Sequence, residues 1–286
     1  MTTSAYQPRR SLIFVPGNKP ELFPKALNSS ADIVCVDLED AVAPQHKNAA
    51  REQTLALFRE PPTADGIERI VRINCLRTAE GFADVAAICT SPTPPPALML
   101  TKVRSADEVK LLADALAAAG HEHIRLHVII ETNDGLEACY AIAHASERVD
   151  SLLFGGVDMA AELRVEPTWE NLRYARARVV HAAAGAGLDL IDVPYLDLND
   201  REGLEREAAA SRALGFTGKA AIHPKQIAAI NREFSPSAEA VARARRIIQA
   251  FAEANTGLVV VDGKLIEKPV LRSMHRIVAI AERIGL

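Results

Sequence analysis

The sequence predicts an α/β protein, a closed (β/α)8 TIM barrel followed by a C-terminal helix-hairpin-helix lid extension. Three observations predict it. Eight short apolar runs recur along the 286 residues, each too brief to be a core helix. Alanine-rich amphipathic segments separate most of them, which is the alternation of βα units. The runs end in polar or charged residues, as strands do when they deliver side chains to the one open face of a barrel.

In order, the runs are Leu12 to Val15, Ile33 to Leu38, Arg69 to Ile73, Ala97 to Val103, Leu126 to Glu131, Ser151 to Phe154, Asp189 to Val193 and Lys219 to Ile222. Ser105 to Ala119 and Trp169 to Ala184 are typical of the helical segments between them, rich in residues that favour helix. At or just after the run ends stand Asn18 and Lys19, Glu39 and Asp40, Arg72 and Asn74, Lys102, Glu131, Asp158, Asp197 and His223. A doubly wound open sheet is the alternative, but Val15-Pro-Gly-Asn18 follows the first run where a dinucleotide fold would carry G-x-G-x-x-G, and there is no P-loop. Residues 1–234 are assigned to the barrel. From Ser235, read as the N-cap with Pro236 at the first helical position, a helix is expected to about Ala254. Asp262-Gly263 between two apolar runs signals a hairpin, and Pro269 opens a last helix to Ile284. Residues 235–286 thus form a separate lid or subunit-contact extension. Ser91-Pro-Thr-Pro-Pro-Pro96 reads as a stiff loop before the fourth strand.

A hydrophobic content of 49% with 24% charged residues is that of an ordinary globular chain with a substantial core. The net charge of -4 leaves no basic footprint for nucleic acid, and no apolar stretch is long enough to span a membrane. The opening residues lack a signal-peptide pattern, so a cytoplasmic protein is expected. Cys35, Cys75, Cys89 and Cys139 have no C-x-x-C spacing and read as free thiols.

Two runs end on acids: Leu126-His-Val-Ile-Ile-Glu-Thr132 delivers Glu131, and Ser151-Leu-Leu-Phe-Gly-Gly-Val-Asp158 delivers Asp158. Side by side at a barrel mouth, such like charges repel strongly unless a proton or a cation lies between them. Magnesium takes one or two carboxylates and completes its shell with water and substrate oxygens, so this pair is expected to bind it. Arg72 and Lys102 sit inside apolar runs, where a charge is tolerated only if it faces a polar site. They either hold an anionic oxygen or pair with Glu39 or Asp40. Those two acids in turn either support the metal site or cap the next helix. His223 is read as a binding residue against the commoner alternative of simple packing, and His121 and His123 as solvated. No nucleophile elbow is present, and a Schiff base on Lys102 is the lesser alternative to metal chemistry.

Taken together, Arg10-Ser-Leu-Ile-Phe-Val-Pro-Gly-Asn18, Val36-Asp-Leu-Glu-Asp-Ala-Val42, Val71-Arg-Ile-Asn74, Ile130-Glu-Thr-x-x-Gly135, Phe154-Gly-Gly-Val-Asp158 and Gly218-Lys-Ala-Ala-Ile-His-Pro-Lys-Gln226 resemble the citrate lyase beta-subunit-like family. That family includes malyl-CoA and citramalyl-CoA lyases, within the magnesium-dependent aldolase superfamily. The resemblance implies magnesium on Glu131 and Asp158, Arg72 on the reacting carbonyl oxygens, and Glu39 with Asp40 beside the metal, with Lys102 near them. It implies coenzyme A contacts from the first-strand region, Arg10, Phe14, Asn18 and Lys19, and from Ile222 and His223. It also implies a homotrimer in which the tail closes over a neighbouring subunit's site. There the family carries aspartate in an Ile-Asp-x-Pro context, whereas this chain has Leu265-Ile-Glu-Lys-Pro269, with Glu267 one methylene longer. The expected activity is magnesium-dependent cleavage of a 3-hydroxy-3-carboxyacyl-CoA, citramalyl-CoA or malyl-CoA, to acetyl-CoA and a 2-oxo acid. Alternatives are the beta subunit of a multi-subunit citrate lyase acting on citryl-acyl carrier protein, a pyruvate-type aldolase without coenzyme A, and a non-catalytic thioester-binding protein.

Overall fold

The computed structural model describes residues 7–59, 66–254 and 257–286. Eight strands close into a barrel in sequence order: β1 (Ser11–Pro16), β2 (Ile33–Asp37), β3 (Glu68–Arg72), β4 (Ala97–Leu100), β5 (Arg125–Ile130), β6 (Val149–Phe154), β7 (Asp189–Asp192) and β8 (Gly218–Ala221). Every pairing is parallel, and β8 returns to β1. Around it run α1 (Phe23–Leu27), α2 (Lys47–Ala56), α3 (Ala79–Cys89), α4 (Ala106–Ala118), α5 (Asn133–Glu137), α6 (Cys139–Ala143), α7 (Gly156–Leu163), α8 (Trp169–Ala186), α9 (Arg201–Leu214) and α10 (Pro224–Phe234). Strands such as Ile33-Val-Cys-Val-Asp37 are buried at every position because one face meets the barrel interior and the other the helices.

The interior is a contiguous cluster that includes Leu12, Ile33, Cys35, Ile70, Met99, Ile129, Leu153 and Ile191. Strand side chains alternate with period two. The residues two places beyond Cys35, Ile70 and Ile129 are Asp37, Arg72 and Glu131, so the same inward rows turn polar at the carboxyl-end mouth. At the opposite end the barrel is plugged by ion pairs. Arg9 bonds Glu68, Asp150 and Asp189, and the fully buried His127 lies between Ser151 and Glu68.

Several strands stop short of their expected ends. β4 ends at Leu100 rather than Val103 because Lys102 takes a left-handed backbone, φ 52°, that turns the chain out of the sheet. β2, β3, β5, β7 and β8 each end one residue early.

The described residues divide into two compact units, the barrel of residues 9–233 and a second unit built mainly of residues 234–286. The second unit contains α11 (Ala238–Glu253), the antiparallel hairpin β9 (Leu258–Val261) and β10 (Lys264–Glu267), and α12 (Leu271–Arg283), around Ile247, Val259, Val261 and Ile266. Asp262 and Gly263 form the two-residue turn, both with positive φ, as a right-twisted hairpin requires. The cap of α11 is Ser237, whose hydroxyl accepts the Ala240 N–H, and not Ser235; Pro236 therefore precedes the helix instead of opening it. Pro269 lies in a 3-10 turn, and α12 starts two residues later. Among the described residues no helix is long and apolar enough to cross a membrane.

Candidate active site

The barrel mouth holds a cavity of about 410 Å3, lined among others by Phe14, Asp37, Asp40, Arg72, Glu131 and Asp158. Glu131 follows β5 directly. Asp158 lies in the first turn of α7 and not on the strand, carried there by the Gly155-Gly156 turn after β6. β5 and β6 are neighbours, so residues distant in sequence meet at one opening.

Glu131 is 3% exposed, and its Oε1 accepts the backbone N–H of Lys102 at 2.8 Å. Burial, and then the charge of Asp158, push its carboxyl up to about 8 against the help of that hydrogen bond. A second carboxylate close enough to act on a desolvated one is a donor pair for a hard cation, which would relieve both penalties. Among the described residues no group of three or more His, Cys, Asp or Glu side chains is arranged for a metal, so such an ion would draw its other ligands from water or substrate. Gly155 makes the room: a Cβ there would lie 2.5 Å from both Cβ and Oε2 of Glu131.

Arg72 resolves the question of its partner in an unexpected way. Its Nε and Nη2 donate to Asp37 at 2.7 and 2.5 Å, while Nη1 stands 3.4 Å from Glu39. Asp37 and Arg72 are register partners across β2 and β3, so the pair is fixed by the sheet itself. The guanidinium lies 4.8 Å from the Phe14 ring centroid. Burial lowers its proton affinity, but Asp37 and then Glu39 more than reverse this, and Arg72 stays charged. Asp37 passed unnoticed in the sequence because it sits inside an apolar run. Counting in twos from Cys35 would have found it.

Lys102 serves twice. Its left-handed backbone aims its N–H at Glu131, and its ammonium pairs with Glu39 and, at 3.4 Å, with Asp40. Burial opposes the charge on Lys102, but Glu39 outweighs it and raises the pKa, which removes the neutral amine a Schiff base would need. Burial pushes the Glu39 carboxyl up, although Arg72 and Lys102 pull against it. For Asp40 burial acts the same way, but the hydrogen bond with Glu39 and the charge of Lys102 win and lower it. Lys47 is a second residue that the sequence reading missed. Its Nζ donates to Leu38 O, Glu39 O and Asn74 Oδ1 at 2.6–2.7 Å, tying the Glu39 loop to the end of β3. Asn74 is itself held by Asp84, which also accepts from Arg51.

The coenzyme contacts expected from the first-strand region divide. Phe14 lines the cavity, as does Ile222 from the end of β8. Asn18 and Lys19 are exposed in the loop after β1, outside the lining. Arg10 is a correction: it precedes β1, at the plugged end of the barrel, where its guanidinium and backbone N–H bond Asp32. It faces away from the mouth because a residue before a parallel strand lies at the amino-end face. His223 is half-buried, its Nδ1 accepting the Lys225 N–H, and it does not line the cavity. His123 is exposed as expected, whereas His121 is half-buried with Nε2 enclosed. Glu267 ends β10 in the second unit and is exposed.

Fold and site together define a barrel that gathers a carboxylate pair and a fixed guanidinium at its carboxyl-end face, the face where barrel enzymes carry their chemistry. The chain belongs to the HpcH/HpaI aldolase/citrate lyase family, whose model matches residues 10–224. It is similar to the mitochondrial citramalyl-CoA lyase of Homo sapiens, 32% identical over 98% of this chain and 87% of the relative. The (3S)-malyl-CoA thioesterase of Cereibacter sphaeroides is 36% identical over 97% of this chain and 96% of its own. Among solved structures, protein CitE of Mycobacterium tuberculosis, in complex with magnesium, acetoacetate and coenzyme A, matches with a TM-score of 0.75 at 30% identity, covering 96% of this chain and 98% of that one.

Proposed function

We propose that this chain is a magnesium-dependent carbon-carbon lyase that cleaves a 3-hydroxy-3-carboxyacyl-CoA, of the citramalyl-CoA or malyl-CoA type, to acetyl-CoA and a 2-oxo acid. The observation that carries this reading is the convergence of Glu131 and Asp158 on one cavity with Arg72. Glu131 and Asp158 would hold magnesium, which when bound polarises the oxygens of the substrate's hydroxyl and carboxylate.

Cleavage breaks the bond between the hydroxyl-bearing carbon and the methylene beside the thioester. The hydroxyl proton leaves to the Glu39 and Asp40 pair, the carbinol becomes the ketone of the 2-oxo acid, and the bonding electrons pass into the thioester enolate. Arg72 has N–H groups to spare beyond its bonds to Asp37, and these hold the enolate oxygen. Fixing the guanidinium beforehand avoids reorganisation as the charge develops. Glu267, brought by the tail of a neighbouring subunit in a homotrimer, donates the proton to the methylene carbon. Lys102 keeps Glu39 in place. Phe14 and Ile222 at the cavity, with Asn18, Lys19 and His223 on the surrounding loops, contact the coenzyme. The four free thiols suit a cytoplasmic setting.

The test is a panel of acyl-CoA esters assayed with magnesium and with EDTA, following acetyl-CoA and free coenzyme A separately. Acetyl-CoA release that EDTA abolishes, and that Glu131→Gln and Asp158→Asn each reduce at least 100-fold, is expected. Free coenzyme A in place of acetyl-CoA would make the chain a thioesterase. Activity only on a carrier-bound citryl group would make it a citrate lyase subunit. Turnover that is indifferent to the coenzyme A moiety would make it a plain aldolase.

A further inference from the structure

A second cavity, of about 250 Å3, opens beside the first and shares with it the wall formed by Val157, Val193, Pro194 and Leu196. The shared wall is entirely apolar. Val157 and Leu196 are 51% and 58% exposed, so these side chains spend apolar surface on solvent at the entrance. Beyond the wall the lining continues with Pro167, Leu172 and Tyr195. Two of its charged members are ion-paired. Arg176 donates through Nε to Asp192 at 3.0 Å and stacks against the rings of Phe154 and Trp169, while its Nη1 is enclosed without a hydrogen-bond partner. Glu207 is bound by Lys219 at 2.7 Å, and Lys219 also reaches Asp192 at 3.0 Å. Two cations and two carboxylates therefore cancel. What is left at the rim is the exposed carboxylate of Asp197.

We propose that this annex receives a short linear alkyl substituent on the hydroxyl-bearing carbon of the acyl substrate, so that the 2-oxo acid formed is a longer homologue of pyruvate. This rests on the lyase reading, because that carbon is attached to the oxygens gathered at Glu131 and Asp158, and the wall begins at Val157 beside Asp158. An alkyl group there covers the exposed wall and gains its burial. A carboxymethyl group would bring an anion towards Asp197 and Glu207, where Arg176 and Lys219 already hold carboxylates of their own. Size is no obstacle, since an apolar cavity of about 150 Å3 already holds a benzene ring.

The chain's single tryptophan, Trp169, stacks on Arg176 at the annex and reports its occupancy. Its fluorescence is titrated with pyruvate, 2-oxobutyrate, 2-oxovalerate and oxaloacetate in the magnesium-loaded protein. Consumption of acetyl-CoA with each acid is followed separately. Each added methylene is expected to tighten binding about 4-fold, so 2-oxovalerate binds about 15-fold tighter than pyruvate, and oxaloacetate binds more weakly than 2-oxovalerate. Leu196→Asp, at an exposed loop position, is expected to cut the preference for 2-oxovalerate over pyruvate about tenfold. Equal binding of pyruvate and 2-oxovalerate overturns the proposal, as does the absence of any saturable signal or a Leu196→Asp effect that is the same for both acids. If the acids bind in the expected order but none consumes acetyl-CoA, the annex stands and the thioester lyase reading falls.

Discussion

Adding one methyl group at Gly155 tests whether Glu131 is held where the chemistry needs it. Gly155 has φ -87° and ψ 76°, so alanine there meets no left-handed backbone penalty. The effect is purely one of contact. The new Cβ would stand 2.5 Å from Cβ and Oε2 of Glu131 and 2.9 Å from Ile129 Cγ2, where ordinary contact begins at 3.4 Å. Glu131 must therefore retreat by 3.4 minus 2.5, or about 0.9 Å. It cannot simply swing away, because it is buried and its Oε1 is tied to the Lys102 N–H. A displacement of about 1 Å at a reacting centre costs about 100-fold, and that loss in kcat/KM is expected for Gly155→Ala. The magnesium concentration for half-maximal activity should rise with it. Overpacking costs about 1–3 kcal/mol, so the melting temperature should fall by only a few degrees. Gly156→Ala is the control, since its Cβ would meet Val193 Cγ1 at 3.1 Å and leave Glu131 untouched. It should stay within about tenfold of the parent enzyme. Activity of Gly155→Ala within about threefold of the parent, at unchanged magnesium dependence, would refute the placement of Glu131 at the reacting centre.

Two other outcomes are expected. Lys47→Met removes three hydrogen bonds from a charged donor to Leu38 O, Glu39 O and Asn74 Oδ1, and should cost about 2–4 kcal/mol of stability. If Lys47 also positions the acidic loop, kcat should drop about tenfold with little change in KM, whereas a fall in melting temperature alone would leave it a purely structural residue. At the plugged end of the barrel, burial disfavours ionised Glu68, but the facing His127 and Arg9 overcome this and hold its carboxyl well below the usual carboxylate range. A depressed folded pKa stabilises the protein fully above the unfolded value of about 4.3 and is lost as pH falls through the folded value. Melting temperature should therefore fall steeply below about pH 4, and Glu68→Gln should flatten that acid limb; an unchanged slope would exclude Glu68 as its source.

The family match and the barrel agree with what the periodicity and the six motifs indicate, and the reason is local. A run such as Ile33-Val-Cys-Val-Asp37 can only be a strand buried on both faces, and eight of them separated by amphipathic helices have few ways to avoid exposed sheet edges. Helix caps are less legible. Ser235 and Ser237 are chemically equivalent candidates, and the choice between them depends on where α10 ends.

The sequence by itself determined which residue types crowd the strand ends, and hence that Glu131, Asp158, Arg72, Glu39, Asp40 and Lys102 belong to one end of the barrel. Only the tertiary structure decided who pairs with whom. Arg72 takes Asp37 because β2 and β3 place them in register. Lys102 feeds Glu131 with its backbone and Glu39 with its side chain because its φ is positive. Arg10 drops out of the site because it precedes its strand. Such pairings are set by register, by the hand of a single turn and by which end of a strand a residue occupies. These are relations between segments that only closing the barrel fixes.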